Sequence, residues 1–87
     1  MQINRSAHFL RAYKKLPSYI SKDFDEKIVF FFEDIFDPRL KTHRLHGRLH
    51  ECFAFCLTGG YRVLFEYSEK HTIDLLDIGP HDLYKKR

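Results

Sequence analysis

The sequence has no apolar run approaching the roughly 20 residues needed to span a bilayer. Its opening stretch, MQINRSAHF, lacks the apolar segment of a signal peptide. Both absences lead to the expectation of a cytoplasmic protein with no membrane partner. Cysteine is scarce, with Cys52 and Cys56 only. On a single strand their Cα atoms would stand about 13 Å apart, beyond the roughly 7 Å limit for a disulfide. Free thiols in a reducing compartment are therefore expected, and the same separation argues against a zinc ion shared by the pair. Neither internal repeats nor low-complexity segments are present. With 87 residues there is room for one core, so one domain over 1–87 is expected. A content of 44% hydrophobic and 31% charged residues is that of a folded chain rather than a disordered one.

The formal charge, +3, is modest, but its distribution is uneven. From Arg39 to His50 (RLKTHRLHGRLH) there are cations and histidines and no acid, and the end adds Lys85, Lys86 and Arg87. Acids gather between Asp23 and Asp37 instead. One-sided clustering of this kind is the electrostatic footprint of phosphate contacts, although a solvated surface has the same composition. The candidate nucleic-acid-contacting residues are Lys41, Arg44, His46, Arg48, Lys85 and Lys86.

Residues 2–5 are short and mixed, suited to an edge strand. Ser6 can cap a helix whose apolar stripe is Phe9, Ala12, Tyr13 and Leu16. Pro17 closes that helix and can open the next. From Ser18 to about Phe36 the apolar residues Ile20, Phe24, Ile28, Phe31 and Ile35 recur at helical spacing. The run Ile28-Val29-Phe30-Phe31-Phe32 alone would suit a strand, but length and period favour a helix that ends before Asp37-Pro38. If Phe30 and Phe32 point away from the core, they form an exposed patch fit for a protein partner. Residues 37–48 read as a loop turning at Gly47. Strands are expected at about 49–57, 61–68 and 72–78. The first two are joined through Thr58-Gly59-Gly60, and a polar cluster, Ser68 to His71, separates the last two. The order β-α-α-β-β-β predicts an α+β fold. Its two helices would cover one face of a small, mainly antiparallel, twisted sheet and leave the other face open.

Three segments, HRLHG (43–47), TGGYRVLFEY (58–67) and IDLLDIGPHDLY (73–84), resemble the RelE/ParE superfamily of toxins from type II toxin–antitoxin systems. Within it, the chain is most similar to the RelE- and YafQ-like mRNA interferases. The resemblance implies a ribosome-dependent endoribonuclease that cleaves mRNA in the A site and is held inactive by a cognate antitoxin. It also implies cleavage without a metal or other cofactor. The ribose 2′-hydroxyl attacks the neighbouring phosphate, which calls for a base, a cation on the developing charge and an acid for the 5′-oxygen. By motif, Arg62 would stabilise the phosphate, His81 would act as acid or base near neutral pH, and Tyr84 would stack on a base or orient the 2′-hydroxyl. His43 is a second acid/base candidate. Two departures stand out: Phe53 and Phe55 occupy the place of two RelE strand lysines, and Cys56 and Gly60 replace a YafQ-like histidine and aspartate.

Each of these residues has a plainer reading. Arg62 and Glu66 share a strand face and can pair, and the cluster after Gly79-Pro80 can simply cap a strand end. The spacing of His43, His46 and His50 invites a metal, but Gly47 breaks any helix that would make them converge. Two other functions remain open for the same fold, a ParE-like inhibitor of gyrase and a catalytically inactive binding protein.

Overall fold

The structure, a computed structural model, describes the backbone of residues 1–86 and the side chains of residues 1–83. Strand β1 (Gln2–Arg5) leads into helices α1 (Ala7–Lys14) and α2 (Ser18–Glu33), followed by β2 (His43–Arg44), β3 (Cys52–Cys56), β4 (Tyr61–Glu69) and β5 (Thr72–Pro80). A 3-10 helix, His81–Lys86, completes the described chain. The strands form one five-stranded sheet in the order β1-β5-β4-β3-β2. β1 joins β5 in parallel at one edge and the other pairings are antiparallel. The α+β fold is thus the one expected, with a further short strand at the opposite edge. Among the described residues no helix is long and apolar enough to cross a membrane.

Local chemistry accounts for the boundaries. The Ser6 hydroxyl accepts the Phe9 N–H at 3.0 Å, capping α1 as expected. Pro17 stands at the N-cap of α2. That helix stops at Glu33, short of the expected Phe36, because the Asp34 carboxylate captures the Phe36 N–H at 2.9 Å. This local bond offers the backbone an alternative to the helix, and Asp34 is accordingly extended, with φ −157°. Asp37 repeats the device three residues on, accepting from the Arg39 N–H at 2.9 Å to start a 3-10 turn over Pro38–Leu40. The expected loop 37–48 also contains β2, whose His43 and Arg44 lie opposite Ala54 and Phe53. β3 begins at Cys52 rather than 49, since Gly47–Leu49 forms a 3-10 turn in place of a strand.

Alternation along the strands then decides what each face carries. Phe53, Phe55, Val63, Phe65, Ile73 and Leu75 turn towards the helices, where they meet Phe9, Ile20, Phe24 and Phe31. The aromatic rings interlock: Phe31 lies 4.8 Å from Phe55 and 4.9 Å from Phe65, and Phe9 lies 5.5 Å from Phe24. Such pairs contribute about 0.5–1.5 kcal/mol each beyond the area they bury. A smaller cluster forms on the opposite face from Leu45, Cys52, Ala54, Leu64 and Leu83. The stripe of α2 divides. Phe30 is half-buried beneath the Arg39 guanidinium, 3.6 Å from its ring centre. Phe32 and Val29 are each 55% exposed, and with Ile3, Arg5, Ile28 and Glu33 they line a groove between α2 and β1.

Phe31 is fully buried at the centre of the aromatic contacts. Phe31→Ala is expected to cost about 3–5 kcal/mol, a large share of a total stability of about 5–15 kcal/mol. Urea unfolding should show the midpoint falling with the slope unchanged.

Candidate functional site

β4 presents Arg62, Leu64 and Glu66 to the face away from the helices, because Val63 and Phe65 are committed to the core. Arg62 lies opposite Cys56 on β3 and Gly79 on β5. Its guanidinium is half-buried and donates to its neighbour's carbonyl, Tyr61 O, at 3.3 Å. Although Glu66 shares the face, Arg62 makes no ion pair among the described residues. Glu66 belongs to a different row, beside Cys52 and Asp74. Glu66 and Arg62 thus stand two rows apart on this face.

The C-terminal 3-10 helix closes over the end that carries Arg62. It packs closely on Gly79, where a Cβ would sit 3.7 Å from Leu83 Cβ, an ordinary van der Waals contact, and Leu83 joins the same cluster as Leu64 and Ala54. His81, exposed, rests against the turn before β4, its Nδ1 3.9 Å from where a Gly60 Cβ would lie. Gly59 and Gly60 have φ of 66° and 79°, the left-handed region that glycine enters without a Cβ clash. The Tyr84, Lys85 and Lys86 side chains, to which sequence reasoning gave stacking and phosphate contacts, lie outside the described residues.

His43 reaches the same face from the far edge, since it stands opposite Ala54. Two strand spacings and one two-residue row separate it from Arg62, about 12 Å between Cα atoms. Its Nδ1 lies 3.0 Å from Lys41 O. A carbonyl only accepts, so this contact puts the proton on Nδ1 and leaves Nε2 of the neutral ring free to accept one.

Two arginines of the basic loop are held by defined partners. Arg44 turns the other way from His43. It lies over the Phe53 ring at 5.7 Å and donates to His50 O at 2.8 Å. Arg39 is paired with Asp37 at 2.8 Å, and its hydrogen bonds hold the Asp37 carboxyl down to about 2. Lys41, His46 and Arg48 are exposed. Among the described residues no three His, Cys, Asp or Glu side chains are grouped to hold a metal ion.

Parity also decides which residues of β3 reach the open face. Phe53 and Phe55 pack in the helix-side core, so the residues that β3 presents to the open face are Cys52, Ala54 and Cys56. None of these is a cation. Cys56, half-buried beside Arg62, is a member of the site that sequence reasoning passed over. A cleft of about 580 Å³ adjoins the site, between α1, the end of β5 and the terminal helix, where Gly79 and Leu83 line it and His8 Nε2 meets Asp77 Oδ1 at 3.1 Å. It contains neither Arg62 nor His43.

No protein-family model matches the sequence, and no curated protein matches it. Solved structures do. YafQ from Escherichia coli superposes with a TM-score of 0.78 at 9% identity, over 95% of this chain and 96% of that one. A YoeB/ParE toxin from Agrobacterium tumefaciens gives 0.77 at 13% identity, over 93% and 99%. A RelE–RelB complex from Pyrococcus horikoshii gives 0.73 at 19% identity, over 94% and 96%. At these identities the likeness is one of fold, and it extends over nearly the whole chain.

Two measurements check this geometry. Because Arg62 has no carboxylate partner among the described residues, Arg62→Met should shift the unfolding free energy by less than about 1 kcal/mol. A loss of several kcal/mol would point to an ion pair. The Asp37 carboxyl, ordinarily 3.8, sits at about 2 in the folded chain. The stabilisation it provides is complete above the unfolded value and is lost as pH falls through about 2. Carbon-13 NMR titration should give that low midpoint, and Arg39→Ala should return it towards 3.8.

Proposed function

We propose that this chain, built on the fold of the RelE, YafQ and ParE toxins, is the toxin of a toxin–antitoxin pair and an endoribonuclease acting on mRNA in the ribosomal A site. The observation that carries the reading is an arginine with no carboxylate partner among the described residues. It lies on the open face of the sheet, beneath a terminal helix that begins at His81.

The chemistry asks little of the protein beyond these groups. The 2′-oxygen forms a bond to the adjacent phosphorus while the P–O5′ bond breaks, leaving a 2′,3′-cyclic phosphate and a 5′-hydroxyl. The Arg62 fork takes the non-bridging oxygens, matching their geometry and their growing charge. His43, with Nε2 free, accepts the 2′-hydroxyl proton, and His81 returns one to the 5′-oxygen. Tyr84 would stack on a neighbouring base. Lys41, His46 and Arg48, with Lys85 and Lys86, would follow the phosphate backbone, to which they contribute affinity without sequence preference. Arg44, already engaged on the far side of β2, contributes by fixing the loop instead. No step needs a metal ion. The apolar groove beside Val29 and Phe32 suits a protein partner, which in this reading is the antitoxin.

A translation-coupled cleavage assay tests the proposal. The parent chain should cut mRNA, and Arg62→Ala and His81→Ala should each lower the rate by about 10²-fold or more. Undiminished cleavage by both variants would overturn the residue roles, and no cleavage by the parent would overturn the activity. A non-catalytic binding protein is the second reading, and the neutral face of β3 favours it. Expression without growth arrest is the outcome that would select it.

A further inference from the structure

One carboxylate ties helix α2 to the turn on which the candidate site is built. Asp23, on the second turn of α2, accepts the Thr58 N–H at 2.8 Å through Oδ2. The same oxygen takes the Lys27 ammonium at 3.0 Å. The two residues are 35 positions apart in sequence. Around this bond the helix lies close to the turn: a Cβ on Gly59 would be 3.6 Å from Ile20 Cδ1 and 3.9 Å from the Tyr19 hydroxyl.

Thr58 is exposed, so water would satisfy its N–H if Asp23 were absent. What the bond adds is position. Gly59 and Gly60 both occupy left-handed φ, and glycine has other wells of similar energy open to it. A turn with two such residues needs an external anchor to hold one shape. Both proposed catalytic groups rest on that shape. The Arg62 guanidinium folds back to Tyr61 O, adjacent to the turn, and the His81 ring lies against Gly60.

We infer that Asp23 is a positioning residue: by fixing the Thr58–Gly60 turn it sets where the Arg62 fork and the His81 ring stand relative to one another. The inference rests on the nuclease reading for its consequence in rate, but not for its geometry. Lys27 is the second partner of the same oxygen, and the Thr58 bond does not depend on it. An asparagine at 23 keeps an oxygen able to accept from Thr58, whereas alanine does not.

The test compares Asp23→Ala, Asp23→Asn and Lys27→Met in two readouts. In NMR, Asp23→Ala should speed hydrogen exchange at the Thr58 amide and move the Arg62 Nε–H and His81 ring signals. Asp23→Asn should leave them near those of the parent. In the cleavage assay, expressed per folded molecule, Asp23→Ala should lower kcat by roughly ten- to a hundredfold with KM little changed, as misplacement of catalytic groups does. Asp23→Asn should restore the rate to within about threefold, the difference between a charged and a neutral acceptor. Lys27→Met should cleave as the parent does. Faster exchange at Thr58 with unmoved Arg62 and His81 signals would overturn the inference, leaving Asp23 a staple between helix and turn. Unchanged kcat in Asp23→Ala would overturn it equally. A parent chain without cleavage would defeat the nuclease reading, and the NMR comparison would still decide the role of Asp23.

Discussion

The alternation of side chains along β3 and β4 is the constraint from which the rest follows. Phe53, Phe55, Val63 and Phe65 are held against the helices by a set of interlocked aromatic rings. A slip of one residue would expose all four and bury Arg62 without a partner, a change of many kcal/mol by apolar transfer alone. The core therefore fixes the register, and the register fixes which groups reach the open face. Arg62 stands outward as a consequence of what its two neighbours bury.

On that face the charges are sorted by rows. Glu66 and Asp74 share one row, and Arg62 lies two rows away beside Cys56 and Gly79. With Glu66 held in another row and no ion pair to Arg62 among the described residues, the guanidinium is available to an anion. Leu83 seats the terminal helix on the apolar cluster of this face, and that helix brings His81 to the glycine turn. A small apolar contact thus does for the imidazole what strand pairing does for the guanidinium. Val29 and Phe32, which α2 leaves uncovered, lie at a distance from these groups by sequence and by element. A partner bound there and a substrate on the sheet would meet different surfaces.

Much of the fold was legible because it is periodic. Ile20, Phe24, Ile28 and Phe31 declare a helix, and the residues from Tyr61 to Ser68 declare a strand with two faces. Three features were hidden for identifiable reasons. The end of α2 is set by the Asp34 carboxylate competing for a backbone N–H, which leaves no mark on the apolar pattern. β2 is two residues long, too short for any period to show. The run Cys52-Phe53-Ala54-Phe55-Cys56 is apolar on both sides, so only its pairing with β4 tells which residues face out. For that reason family likeness alone set Phe53 and Phe55 in the place of two RelE lysines. At the site, Arg62 and His81 could be picked from motif and residue type. Arg44 looked like one more member of a basic run until strand parity turned it towards Phe53. The Asp23–Thr58 bond joins distant residues of ordinary type, and nothing in the sequence announces it.

The central claim is that the open face carries out an internal transfer on RNA, with the 2′-hydroxyl as nucleophile and no metal-bound water. End-group analysis of RNA recovered from a translating extract treated with this chain tests that claim most directly. The account predicts fragments ending in a 2′,3′-cyclic phosphate, each followed by a partner fragment with a free 5′-hydroxyl. Fragments carrying a 3′-hydroxyl and a 5′-phosphate would contradict it.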